Sequence, residues 1–152
     1  MRDHVLDLLR SPHAHLSLKD VLAGWPTESR GRKPEGQPFT PWRLLEHIRI
    51  SQWDILEFSK SAEHVSPQWP DGYWPGGDAP PNAAAWDQSV AQVERDLDGM
   101  ARLIADPKTD LFKKIPHGTG QTVLREALVL ADHNSYHAGQ LLVLKRLLGA
   151  HR

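Results

Sequence analysis

The sequence predicts an all-α protein, a four-helix bundle with long connecting loops rich in proline and glycine. Three observations carry this. Three long segments repeat apolar residues at alternating steps of four and three, the seam that bundle helices bury. The stretches between them are full of turn-forming residues and show no strand-length alternation. And 152 residues at 39% hydrophobic content suit one core, so residues 1–152 are expected to form a single domain.

The elements follow in chain order. RDHVLDLL is a short helical candidate, interrupted at Ser11-Pro12. Ser17 opens a second short helix, with Asp20 three residues on as its capping partner, and Gly24-Trp25-Pro26 closes it. Together these two pieces are expected to fill the fourth position of the bundle. A polar, turn-rich linker, 26–39, leads to Thr40 as N-cap and Pro41 at the first helical position, where a missing N–H costs nothing. The helix that starts there runs to about Ser59, with Leu44, Ile48, Ser51, Ile55 and Phe58 as its seam and His47 beside it.

The next connection, 61–82, is long and rich in proline, glycine and aromatics. Trp69, Tyr73 and Trp74 could wall a substrate site or staple the loop to the bundle, the staple being the simpler reading. Asn82 is a candidate cap for the helix carrying Trp86, Val90, Val93, Leu97, Met100 and Ile104, which Asp106-Pro107 ends. In the loop 106–121, Phe112 and Ile115 are expected to pin the chain down.

The last helix, about Thr122 to Leu148 with Gly149 as its stop, has the seam Val123, Ala127, Leu130, Asn134, His137, Leu141, Leu144, Leu148. His137 therefore lies on the buried seam, and His133 one turn earlier is rotated by only about 40°. Two imidazoles so placed can point at one metal ion, and His47 from a neighbouring helix is the natural third donor. Each could equally be a hydrogen-bonded histidine at the core boundary. His4, His13, His15, His64, His117 and His151 fall near breaks, termini or loops and are read as surface residues.

Composition removes several chemistries. With no cysteine there are no disulfides, no thiolate zinc sites and no cysteine nucleophile. A net charge of −1 lacks the basic footprint of a nucleic-acid binder and gives no reason to expect an anionic membrane as partner. MRDHVLDLLR lacks the apolar core of a signal peptide, so a soluble cytoplasmic protein is the expectation. No Glu-x-x-His spacing supports a di-iron bundle. The residues inside the histidine pair are Asn134, Ser135 and Tyr136, so the glutamate base of a His-Glu-x-x-His protease is missing. HGTGQ lacks a Walker lysine. Ser51, His47 and Asp54 could be assembled into a triad on paper, but no oxyanion-forming turn accompanies them.

PWRLLEHIRISQWDILEF around His47, with LREALVLADHNSYHAGQLLVLKRLLG and the HVSPQWPDGYWP loop, resembles the DinB-like superfamily of metal-binding four-helix bundles over nearly the whole chain. The resemblance implies a three-histidine site at His47, His133 and His137 for a divalent metal, zinc or nickel, and often a homodimer. It implies activity only loosely. Relatives include S-transferases that use low-molecular-weight thiols, isomerases and metal-dependent hydrolases, so a small-molecule substrate is expected, and the resemblance gives no reason to expect nucleic-acid binding.

Two functions follow as expectations. One is a metal-dependent enzyme, a thiol-dependent S-transferase or a hydrolase. No carboxylate stands in an obvious general-base position, which favours thiol transfer. Ser51 and Gln140, about one turn beyond His47 and His137, are candidates to orient water or substrate. The other is a non-catalytic metal-binding or stress-response bundle, its metal structural and closed by a fourth ligand.

Overall fold

The computed structural model describes residues 1–11 and 14–150. His13 and His151, read above as surface residues, lie outside them. The described residues form five α-helices and no strand: α1 (Arg2–Arg10), α2 (Leu18–Leu22), α3 (Pro41–Lys60), α4 (Ala85–Ala105) and α5 (Val123–Leu147). Single 3₁₀ turns add Thr27–Ser29 and Asp71–Tyr73.

Caps set the helix ends. Thr40 accepts a hydrogen bond from Arg43 N, with Pro41 behind it, and Thr122 accepts one from Arg125 N. Ser17 caps α2 through Asp20 N. At the end of α5, Gly149 adopts φ +65°, letting its N–H reach Arg146 O while Ala150 N reaches Lys145 O. That is the Schellman arrangement, and only glycine enters it without strain. One expected cap is displaced. Asn82 accepts from Ala84 N in the turn before α4, and the helix starts at Ala85 with no side-chain cap.

α3 lies against both α4 and α5, the three long helices of the bundle. α1 packs on α4 and α5, and α2 on α5, so the short pieces share the remaining side. Arg2 fastens α1 by donating to the carbonyls of Ile104 and Thr109. Because α3 is covered on two sides, it buries more than one stripe: Leu45, Gln52 and Leu56 are as enclosed as Leu44 and Ile48.

The apolar core falls into two clusters. One gathers Trp25, Leu44, Leu45, Ile48, Trp86, Val93 and Leu141 with their neighbours. The other gathers Leu56, Met100, Ile104, Leu130 and Val123 with Val5 and Leu9 of α1. Along α5 the break falls between Ala131 and Ala138, and along α3 between Ile48 and Leu56. Polar residues fill it. Asn134 donates to Gln52 Oε1 at 2.7 Å, and Gln52 donates to Val93 O at 2.5 Å. His133 and His137 sit in the same stretch of α5.

The 106–121 loop is pinned by Leu111 and Ile115, both buried. Phe112, expected to be an anchor, is 64% exposed. Backbone pairing decides which neighbour turns inward: Leu124 N donates to Leu111 O, and Ile115 N to Gln121 O.

Candidate metal centre

Two helices build the site. The i,i+4 spacing on α5 brings His133 and His137 together, ring centroids 4.4 Å apart. α3 supplies His47, whose ring lies 4.9 Å from His133 and 4.7 Å from His137. One nitrogen from each of the three comes within 4.8 Å of the others, and the Nε2 atoms of His47 and His133 are 3.1 Å apart. Such a group could hold a metal ion.

The far nitrogens decide which lone pairs face inward. His47 Nδ1 lies 2.9 Å from Tyr73 O. A carbonyl only accepts, so Nδ1 carries the proton and Nε2 presents a lone pair. His137 Nδ1 donates in the same way to Gln140 Oε1 at 2.6 Å. Such outer partners fix ring orientation and tautomer at metal sites. His133 Nδ1 is buried without a hydrogen-bond partner, while its Nε2 lies 3.1 Å from the His47 Nε2 lone pair, so in the metal-free chain His133 carries its proton on Nε2 and donates it to His47. Trp74 stacks on His47 at 4.0 Å with planes 3° apart, and Phe39 stacks on Trp74 at 4.4 Å. Trp74 therefore fastens the 61–82 loop over one face of His47, whereas Trp69 is 74% exposed.

Burial keeps all three imidazoles neutral. Desolvation lowers the pKa of His47 and His137 against the pull of their hydrogen bonds. For His133, burial and then the neighbouring rings of His137 and His47 bring it down to about 3. Asn134 opposes that shift without making a hydrogen bond of normal geometry. Three neutral imidazoles fit a divalent metal, which would take the inward lone pairs of His47 and His137 and, as the His133 ring proton moves off Nε2, that of His133.

The rings open onto a cleft of about 700 Å³ that Ser51, Asp54, Phe58, Trp69, Tyr73 and Tyr136 also line. Ser51 is buried there, one turn from His47. Gln140 does not line this cleft; its contact is with the far nitrogen of His137. The cleft also holds three carboxylates: Asp54, weighed in the sequence only as the acid of a paper triad, and Glu126 and Asp132, which sequence reasoning did not place there. Asp54 is buried and accepts from His64 Nε2 and Tyr73 Oη, both at 2.7 Å. The paper triad thus does not form, because Asp54 faces His64 and not His47. His64 is no surface residue: its side chain is 7% exposed, held by Asp54 and edge-on to Trp53. His4, His15 and His117 are exposed as expected. Asp54 lies seven residues after His47, two turns along the same face, and that spacing brings it into the cleft.

An all-helical fold with a trio of neutral imidazoles fits a metal-binding bundle. A family model described as the DinB superfamily matches residues 14–141. The chain belongs to the DinB superfamily. No curated protein and no solved structure matches it.

Proposed function

We propose that the chain is a metal-dependent enzyme, with zinc or nickel held by His47, His133 and His137, and that it is a thiol-dependent S-transferase or a hydrolase. One observation carries the enzyme reading. Among the described residues the candidate ligand group stops at three histidines, and those three line a 700 Å³ cleft. Structural zinc is closed by four protein ligands, whereas catalytic sites keep a position for substrate.

A divalent metal there supplies Lewis acidity that lowers the pKa of a thiol or water beside it. The chain's own residues do the rest. Phe58, Trp69, Tyr73 and Tyr136 offer an apolar wall for a small electrophile. The Ser51 hydroxyl, buried at the cleft beside His47, is placed to orient a polar group. Asp54 already accepts two hydrogen bonds, and Glu126 is paired with Arg125 at 2.7 Å. Neither is a free base for activating water; the exposed Asp132 is the cleft carboxylate left for that role in a hydrolase. In transfer the thiol sulfur forms a bond to an electrophilic carbon, the leaving group departs with its electron pair, and the thiol proton passes to solvent.

The test begins with elemental analysis of untagged protein after zinc or nickel loading. About one metal per chain is expected. His137→Ala should lose it while its circular dichroism stays helical, since both apolar clusters lie outside the histidine layer. Loaded wild-type protein should then join low-molecular-weight thiols to alkylating electrophiles. Metal content near zero would sink the reading. Metal without turnover of thiol or hydrolysable substrates would point to the non-catalytic bundle instead.

A further inference from the structure

Asp54 and His47 lie on one face of α3, seven residues apart, about 10 Å along the helix axis. One residue of the 61–82 loop bridges them. The phenol of Tyr73 donates to Asp54 Oδ2 at 2.7 Å, and its backbone carbonyl accepts from His47 Nδ1 at 2.9 Å. Tyr73 closes a 3₁₀ turn, so phenol and carbonyl are tied through a short, ordered piece of backbone. His64, three residues into the same loop, occupies the other carboxylate oxygen at 2.7 Å. The next residue, Trp74, lies flat on the His47 ring.

We propose that Asp54 is a positioning residue for the metal ligand His47, acting through Tyr73. This rests on the metal-site reading above. The carboxylate fixes where the Tyr73 side chain sits. That placement fixes the carbonyl, and the carbonyl holds the His47 proton on Nδ1 and keeps its Nε2 lone pair turned inward. The buried location of Asp54 fits such a task. A carboxylate taken out of water is costly unless its hydrogen bonds are met, and here both oxygens are met by groups of one loop. Burial, and then the Asp54 hydrogen bond, push the Tyr73 phenol up to about 12, so it remains a donor across the neutral range. A plain loop staple would need none of the coupling to His47.

The experiment compares wild type, Asp54→Asn, Tyr73→Phe and the double variant. Asn keeps the shape of Asp but cannot accept from both donors. Two quantities are read. Zinc affinity is measured by competition with a chromophoric chelator. The tautomer of His47 is read from imidazole nitrogen shifts in the metal-free protein. Asp54→Asn is expected to weaken zinc binding about tenfold or more, the scale of lost outer partners. It should also turn His47 from pure Nδ1–H to a mixture. Tyr73→Phe should do the same, and the double variant should be no worse than the worse single one, since both cut the same link. If Asp54→Asn does not fold, Tyr73→Phe, which leaves the carboxylate in place, decides alone. A lower melting temperature with unchanged zinc affinity and unchanged tautomer would overturn the proposal and leave a staple. Should wild type itself take no zinc, the metal reading fails, and the tautomer comparison still shows whether Asp54 governs His47.

Discussion

Gln140 touches His137 on the side away from the shared space, Oε1 to Nδ1 at 2.6 Å. Its effect on a metal would pass entirely through that ring. Gln140→Leu is expected to weaken zinc binding by about 10–100-fold while leaving the metal-free melting temperature nearly unchanged, because Gln140 belongs to neither apolar cluster. Chelator competition beside a thermal melt checks this, and equal zinc affinity in the variant would show the contact to be idle. At this scale the three histidines were legible, because helical periodicity puts His133 and His137 on one face of α5 and His47 beside the seam of α3, and the family resemblance pairs the two helices. Their outer partners were not. Tyr73 acts on His47 through its carbonyl, an atom every residue carries, and His64 meets Asp54, ten residues earlier, only because the chain folds back onto α3 just past its end. No spacing encodes either contact.

Elements were legible where a cap or a breaker marks them. Thr40-Pro41, Thr122 and Gly149 sit where the sequence placed them. The seams on α4 and α5 were also readable, although Ser89 and Asp96 join the buried face of α4 as polar members that an apolar pattern cannot show. α3 was read too narrowly. A single 3/4 seam describes a helix with one neighbour, and α3 has two. The 106–121 loop went astray by one residue, since size and hydrophobicity favour Phe112 whereas the Leu124 N–H···O Leu111 pairing turns Leu111 inward. The swap predicts a clear contrast. Leu111→Ala should cost about 2–5 kcal/mol of stability, the range for large-to-small changes in a core. Phe112→Ala should stay within about 0.5 kcal/mol. Denaturant midpoints measure both, and a larger loss at Phe112 would contradict the anchoring described here.

Across the whole molecule, the polar layer parts the apolar core at the level of the histidines. The arrangement was foreseeable only in outline. The sequence shows Asn134 and His137 on a buried seam, but not that Gln52 would cross from α3 to meet Asn134. The layer makes stability depend on pH in the metal-free chain. Burial and then the neighbouring rings bring His133 from its ordinary 6.5 down to about 3 in the folded chain, and His47 and His137 are shifted in the same downward direction. Between those values the unfolded chain binds more protons than the folded one, so stability rises with pH through the window and is lost as pH falls below about 6.5. At pH 5 the first 1.5 units of the His133 gap amount to about 2 kcal/mol. Asp96 pulls the other way at lower pH, because burial raises its pKa and favours the protonated folded form. With a chelator present, the melting temperature should therefore be about 4–8 °C lower at pH 5 than at pH 7.5 for a chain of this size. Zinc should raise it at pH 7.5 and do far less at pH 5, since protons compete for the same nitrogens. In an Asp96→Asn background, which removes that opposing group, a melting temperature that stays level or climbs on acidification would mean that the imidazoles are not held neutral by their burial.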